Sequence, residues 1–131
     1  MDPVFVISAD GHVELYQSPA HAEHVIEGYD VADGEYGGDL GGLFSIEGEV
    51  LTFVPGEGGD WEPVRIERTG RFEFDLLANR LAELADRNRY EGDPDPRVVA
   101  NQIFASYWDL RRIRWPRWLD LRVNGEGPPP I

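Results

Sequence analysis

Short apolar runs broken by glycine-bearing turns fill the first half of the chain, and helical spacing takes over in the second. Val4-Phe5-Val6-Ile7 is a continuous apolar run of strand length and reads as a buried strand. Asp10-Gly11 follows as a type I′ hairpin signal, and His12-Val13-Glu14-Leu15-Tyr16 alternates like the returning strand. Ser18-Pro19 predicts an N-cap with proline at the first helical position, opening a helix over 19–27 with Ala22, Val25 and Ile26 facing inward. A second hairpin is expected from Leu43-Phe44-Ser45-Ile46, a turn at Glu47-Gly48, and a return through Glu49-Val50-Leu51-Thr52-Phe53-Val54. The octets SADGHVEL and SIEGEVLT, beginning at Ser8 and Ser45, are alike. Two copies do not make a solenoid, so the likeness predicts the same hairpin chemistry used twice.

Residues 27–42 are glycine-rich and acidic, and a short strand over 33–37 followed by a loop is expected there. Residues 55–60 read as a turn-rich loop, 63–68 alternate as a strand, and 71–74 fit either strand or helix. A helix over 75–89 has Asp75 as its N-cap and Leu77, Leu81, Leu84 and Ala85 as its apolar stripe. Asp95-Pro96 opens a last helix, expected to reach Arg112 or Arg114 with Val99, Ile103, Tyr107 and Leu110 on one face. Pro116 must stop or kink it, and 124–131 reads as a loose tail. Strands first and helices last predict an α+β fold in a single domain over 1–131. It is an antiparallel sheet of hairpins with one short early helix and two C-terminal helices packed on one face.

The chain has no cysteine, which excludes disulfides, thiolate zinc sites and cysteine nucleophiles. No window approaches the ~18 apolar residues of a membrane helix, and the start lacks the basic region of a signal peptide. The expectation is a soluble cytoplasmic protein without a membrane partner. The net charge of −13 is uneven: fourteen acids and no Arg or Lys up to Pro63, then eleven acids and twelve arginines. A face this acidic repels phosphate and attracts basic partners.

That asymmetry governs the reading of the stretch from Ala105 to Asp120. Arg111, Arg112, Arg114 and Arg117 with Trp108, Trp115 and Trp118 could stack on bases, but the rest of the chain pushes phosphate away, and no nucleic-acid partner is expected. The tryptophans are expected to be partly buried, with the arginines over aromatics or paired with the acidic half.

Candidate chemistry is sparse. A calcium loop started at Asp30 or Asp33 fails its ligand offsets, which leaves only a looser oxygen site from Asp30, Asp33, Glu35 and Asp39. His21 and His24 share a helix face, and a zinc site would need His12, Glu14 or Glu27 to complete it. No serine sits in Gly-x-Ser-x-Gly, and neither a catalytic residue nor a cofactor is expected. Three readings stand: an acidic binding protein, a metal-dependent or acid–base enzyme using His21, His24 and nearby carboxylates, and a scaffold domain.

Tyr29-Asp30-Val31, Asp33-Gly34-Glu35-Tyr36, Phe44 and the Glu47-Gly48-Glu49-Val50-Leu51 turn follow the first hairpin and short helix. Over about residues 1–55 this order resembles the small immunity proteins encoded beside bacterial polymorphic toxins. The resemblance implies an inhibitor that binds and blocks a basic toxin domain without chemistry of its own. On the acidic-binding reading, Asp30, Asp33, Glu35 and Asp39 form the contact surface, and Tyr29, Tyr36 and Trp61 are aromatic anchors of the kind that concentrate interface energy.

Overall fold

The computed structural model describes residues 2–111. Five antiparallel strands lie side by side in the order β2-β1-β3-β4-β5: β1 Val4–Ile7, β2 Val13–Tyr16, β3 Gly42–Ser45, β4 Glu49–Val54 and β5 Arg65–Phe72. Because β1 pairs with β2 on one side and β3 on the other, the connection from β2 to β3 must pass across the sheet. It carries two short helices, α1 Pro19–Val25 and α2 Gly28–Ala32. After β5 come α3 Phe74–Glu83, α4 Ala85–Asn88 and α5 Pro96–Arg111. This is the expected α+β class.

Alternation along β1 divides the core. Phe5 and Ile7 join Val13, Phe44 and Ile46 on one face, under Leu77 and Leu81 of α3, Leu84, and Val99 and Ala100 of α5. Val4 and Val6 join Leu43 and Leu51 on the other, under Ala22 and Ile26. Helices therefore lie on both faces, where one covered face was expected for the sheet. The physical reason is β1 itself: a strand apolar at every position has two faces to withdraw from water.

Both hairpins close in the same way. The N–H of Gly11 donates to Ser8 O, and that of Gly48 to Ser45 O, each at 3.0 Å. The Ser8 hydroxyl accepts the His12 N–H at 3.0 Å, and the Ser45 hydroxyl accepts the Glu49 N–H at 3.1 Å. Gly11 and Gly48 both take left-handed backbone, with φ of 85° and 86°. The repeated chemistry is thus a three-residue loop ending on a left-handed glycine, and the two-residue type I′ turn predicted at Asp10-Gly11 does not form. Serine decides it, because its hydroxyl captures the N–H four residues on.

Local chemistry corrects other expectations. Ser18 does cap α1, accepting the His21 N–H at 3.1 Å, but the helix stops at Val25. Ile26 turns into the core on extended backbone, and Val25 is left 50% exposed. The strand expected over 33–37 is absent, and its place is taken by the turns that follow α2. Asp75 is not a cap, since α3 starts one residue earlier with Glu73 at the N-cap and no side-chain bond. Glu73 instead gives its N–H to Gly48 O at 2.8 Å, anchoring the helix start to the second hairpin. The helix predicted over 75–89 breaks at Leu84, whose carbonyl also accepts the Asn88 side-chain amide at 2.9 Å. Its stripe of Leu77, Leu81, Leu84 and Ala85 is nevertheless buried. The ambiguous 71–74 stretch divides, with Phe72 ending β5 and Phe74 opening α3. Asp95 accepts the Arg97 N–H at 2.9 Å at the start of α5. The expectations for Tyr107, Leu110, the tryptophans and arginines of 108–118 and the tail concern side chains or segments outside the described residues.

Each edge strand has an outward N–H occupied by a helix side chain. Asn88 accepts the Val13 N–H of β2 at 2.9 Å, and Glu23 of α1 accepts the Ile66 N–H of β5 at 2.8 Å. Farther along β5, Thr69, Gly70 and Arg71 lie opposite Val50 alone, an irregularity held by the buried Glu49. One Glu49 oxygen pairs with Arg68 at 2.7 Å and the other accepts the Gly70 N–H at 3.0 Å. The Arg68 hydrogen bond, aided by that from Gly70 and by the guanidinium charge, holds the Glu49 carboxyl below its ordinary range.

Two substitutions test this architecture. A Cβ at Gly48 would meet the Phe74 Cα at 2.6 Å on left-handed backbone, so Gly48→Ala is expected to cost roughly 1–3 kcal/mol. Leu81→Ala, at a fully buried position, is expected to cost about 2–5 kcal/mol. Urea unfolding reads both as a lower midpoint at unchanged slope.

Candidate functional site

The acidic segment is fastened to the body by backbone groups. At the start of α2, the Gly28 N–H donates to Glu62 Oε1 at 2.5 Å. A Cβ at Gly28 would lie 2.7 Å from both that oxygen and Trp61 O, so only glycine lets the 61–62 loop come this close. At the end of α2, Gly34 turns left-handed with φ of 77°, its N–H donates to Val31 O at 3.2 Å, and the Glu35 N–H returns to Asp30 O at 3.1 Å. This pair of bonds is a Schellman cap, and it folds Glu35 back over Asp30. The Ala9 N–H donates to Glu35 O at 2.6 Å, tying the cap to the first hairpin. Arg80 of α3 donates to Asp39 O at 2.9 Å and Gly41 O at 3.1 Å, with its guanidinium 5.6 Å from the centre of the Phe44 ring.

Tyr36 lies at the centre of this arrangement. It is half-buried, with its ring 5.4 Å from that of Phe53. Val31, Tyr36, Phe53 and Trp61 line an open hollow of about 400 Å3 together with Arg71, Glu73 and Arg80. The Tyr36 phenol is pushed up to about 12, first by burial and then by the negative charges of Glu14, Asp30, Glu35 and Glu27. Four carboxylates from β2, the entrance to α2, α2 and its cap therefore act on one hydroxyl.

The structure thus brings Asp30 and Glu35 close to Tyr36, and Tyr36 and Trp61 onto one hollow that neither acid lines. Asp33 is exposed at the C-cap of α2, in the same turn. Asp39 is exposed farther along, on the segment that Arg80 holds. Tyr29 is 72% exposed and does not line the hollow. Among the described residues, the side chains of Glu27, Asp30, Asp33, Glu35 and Asp39 make no hydrogen bond or ion pair. Within the same set of residues, several acids elsewhere in the first half are engaged within the fold, though Asp2 and Glu57 are not: Glu23 with Ile66 N–H, Glu47 with Arg97, Glu49 with Arg68 and Glu62 with Gly28 N–H. Two of these pairs join the acidic half to arginines of the second half.

The histidines are arranged differently from a metal centre. His21 meets the Tyr16 ring edge-on at 5.5 Å, Tyr16 donates its hydroxyl to Glu14, and His12 lies 3.5 Å from Glu14. His24 is exposed in the last turn of α1. Among the described residues, no group of three His, Asp or Glu side chains could hold one metal ion, neither here nor among the acids of 30–39.

Sequence reasoning named Val31 but missed Glu62, Glu14 and Phe53 as neighbours of the acidic turns. Glu62 caps a helix 34 positions away, a partnership without a local signal. Glu14 was legible as part of an alternating strand, on the same side as Tyr16. No protein-family model matches the chain, and no curated protein or solved structure is detectably similar to it.

Both Tyr36 and Tyr90 are raised to about 12, Tyr90 by burial. An unfolded tyrosine ionises near 10, so folding favours the protonated form and stability falls as pH rises from about 10 to 12. Absorbance titration at alkaline pH is expected to show a late-ionising component reduced in both Tyr36→Phe and Tyr90→Phe. Wild-type ionisation complete near pH 10 in the folded protein would refute the assignment.

Proposed function

We propose that this chain is a non-catalytic binding protein of the bacterial immunity type. In this reading its acidic 27–39 surface captures a basic protein partner, a toxin domain, in the cytoplasm. The carrying observation is the set of five carboxylates that make no hydrogen bond or ion pair among the described residues, on a segment fixed by backbone bonds. Mutual repulsion among such charges is a cost to the folded state, and a basic surface would relieve it. Asp33 and Glu35 also sit at the C-terminal end of α2, where a helix gives carboxylates no support. A fixed charged surface accelerates and selects association with an oppositely charged partner. Nearby Tyr36 and Trp61 offer the aromatic area that concentrates binding energy at interfaces. The sequence resemblance to immunity proteins adds the toxin domain as the partner class.

Charge reversal tests the reading. With the partner purified by capture on the immobilised full chain, Asp30→Lys with Asp33→Lys is expected to slow association about tenfold or more at low salt, by loss of steering. The difference should shrink as salt rises. An unchanged on-rate and unchanged salt dependence would remove the acidic surface from the encounter.

A further inference from the structure

We propose that the hollow lined by the acidic turns, the β3–β4 hairpin and α3 binds a small aryl monocarboxylate, with the ring among its aromatic side chains and the carboxylate on Arg80 and Arg71. The proposal goes beyond the capture of a basic partner and does not depend on it. Tyr36, Phe44, Phe53, Trp61 and Leu76 line the hollow, and its charged side chains are Arg71, Glu73 and Arg80. Two arginines against one glutamate leave the lining net positive, and Asp30 and Glu35 are not part of it. Apolar walls with a few placed polar groups are the usual make-up of a small-molecule site. The walls hold the body of the ligand, and the guanidinium groups select its charge and direction.

Arg80 is set in advance. It spends one N–H from each terminal nitrogen on the carbonyls of Gly41 and Asp39, and its guanidinium lies 5.6 Å from the centre of the Phe44 ring. A Cβ at Gly42 would lie 3.4 Å from Arg80 Nη1 and 3.1 Å from the Phe44 ring, so glycine leaves both groups their room. A guanidinium carries more donors than those two bonds use, and a fixed one needs little further ordering to receive an anion. Arg71 adds a second cation. Its Nε lies 3.5 Å from Glu73, and its terminal nitrogens make no hydrogen bond among the described residues. A carboxylate suits this pair because it accepts parallel N–H donors in one plane. Phosphate suits it less, since its second charge meets a protein of net charge −13 with no apolar body to offset the repulsion. At about 400 Å3 the space is near the lower end of ligand cavities, which fits one ring with a short arm. A polypeptide end would press amide groups against the apolar walls, where unmet hydrogen bonds cost free energy.

The test uses the full chain with phenylacetate, its uncharged amide and phenethylammonium as probes, each followed by two-dimensional amide NMR. Phenylacetate is expected to give saturable shifts at the Trp61 indole, assigned by its loss in Trp61→Leu, and at the amides of Gly41, Gly42 and Phe53. Phenylacetamide should bind about tenfold more weakly, as loss of a charge-assisted hydrogen bond predicts, and phenethylammonium more weakly still. Because Arg71 is exposed, Arg71→Gln should hold the thermal midpoint. It should weaken phenylacetate roughly threefold or more and leave phenylacetamide unchanged. Trp61→Leu should weaken both probes alike, through loss of aromatic area. Shifts that do not saturate, equal affinity for the three probes, or phenylacetate binding that ignores both Arg71→Gln and Arg80→Gln would each overturn the proposal. Inorganic phosphate displacing phenylacetate at equal concentration would overturn it too, because the site would then read charge alone. If acetyl-Gly-Phe with a free carboxylate binds more tightly than phenylacetate at the same resonances, the occupant is a polypeptide end and the small-molecule assignment falls.

Discussion

Burial of both faces of β1 is the constraint on which the architecture depends. Phe5 and Ile7 are fully withdrawn from water and Val4 and Val6 nearly so, on opposite faces of the strand. A sheet with such a strand needs a cover on each face, and one helical layer cannot supply both. The crossing from β2 to β3 supplies one cover with Ala22 and Ile26, and the chain after β5 supplies the other with Leu77, Leu81 and Leu84. The crossing segment is then long enough to carry α2 and the acidic turns, and the helix that buries Ala22 is directly followed by the segment that exposes charge.

The way that segment is held matters as much as its charge. Neutral backbone groups do much of the fastening: the Schellman bonds, Ala9 N–H to Glu35 O, and the carbonyls of Asp39 and Gly41 that receive Arg80. A loop fastened through its carboxylates would be fixed but electrostatically spent. Fastened through its peptide groups it is fixed and still charged, so binding by it would require little further ordering. Glu49 shows the opposite use of an acid. Buried beneath β5, it holds Arg68 and Gly70 and has no charge left to offer.

Much of this was legible in the sequence. Strands announced themselves by apolar runs and alternation, and the kinship of the Ser8 and Ser45 octets foretold two hairpins with one closing chemistry. The expectation of one covered face overlooked that an uninterrupted apolar run such as 4–7 has no side for water. What escaped depended on partners distant in sequence or on single backbone conformations. A five-residue helix is too short for a periodic signal, and the left-handed Gly34 that closes α2 resembled any other loop glycine. Glu62 reaches Gly28 only in the folded chain. For the candidate site, the acids with Tyr29, Tyr36 and Trp61 were named from composition and position, and the fold sets Tyr36 and Trp61 on one hollow but not Tyr29. Glu14 and Phe53 were not named for it, since only packing of β2 and β4 against the acidic turns brings them there.

The occupied edges of the sheet have a consequence for behaviour in acid. A chain with pI near 4.4 loses its net repulsion as pH approaches that value, and proteins then associate most readily. Open strand edges are the usual route, because their free N–H and C=O groups template a neighbour. Here one outward N–H on each edge is already taken, by Asn88 on β2 and by Glu23 on β5. The Asn88 amide does not titrate, so its hold on β2 survives where charge no longer keeps molecules apart. Near the isoelectric point that carboxamide still withholds one β2 donor from a neighbouring chain, where the thirteen net negative charges of neutral pH no longer keep molecules apart.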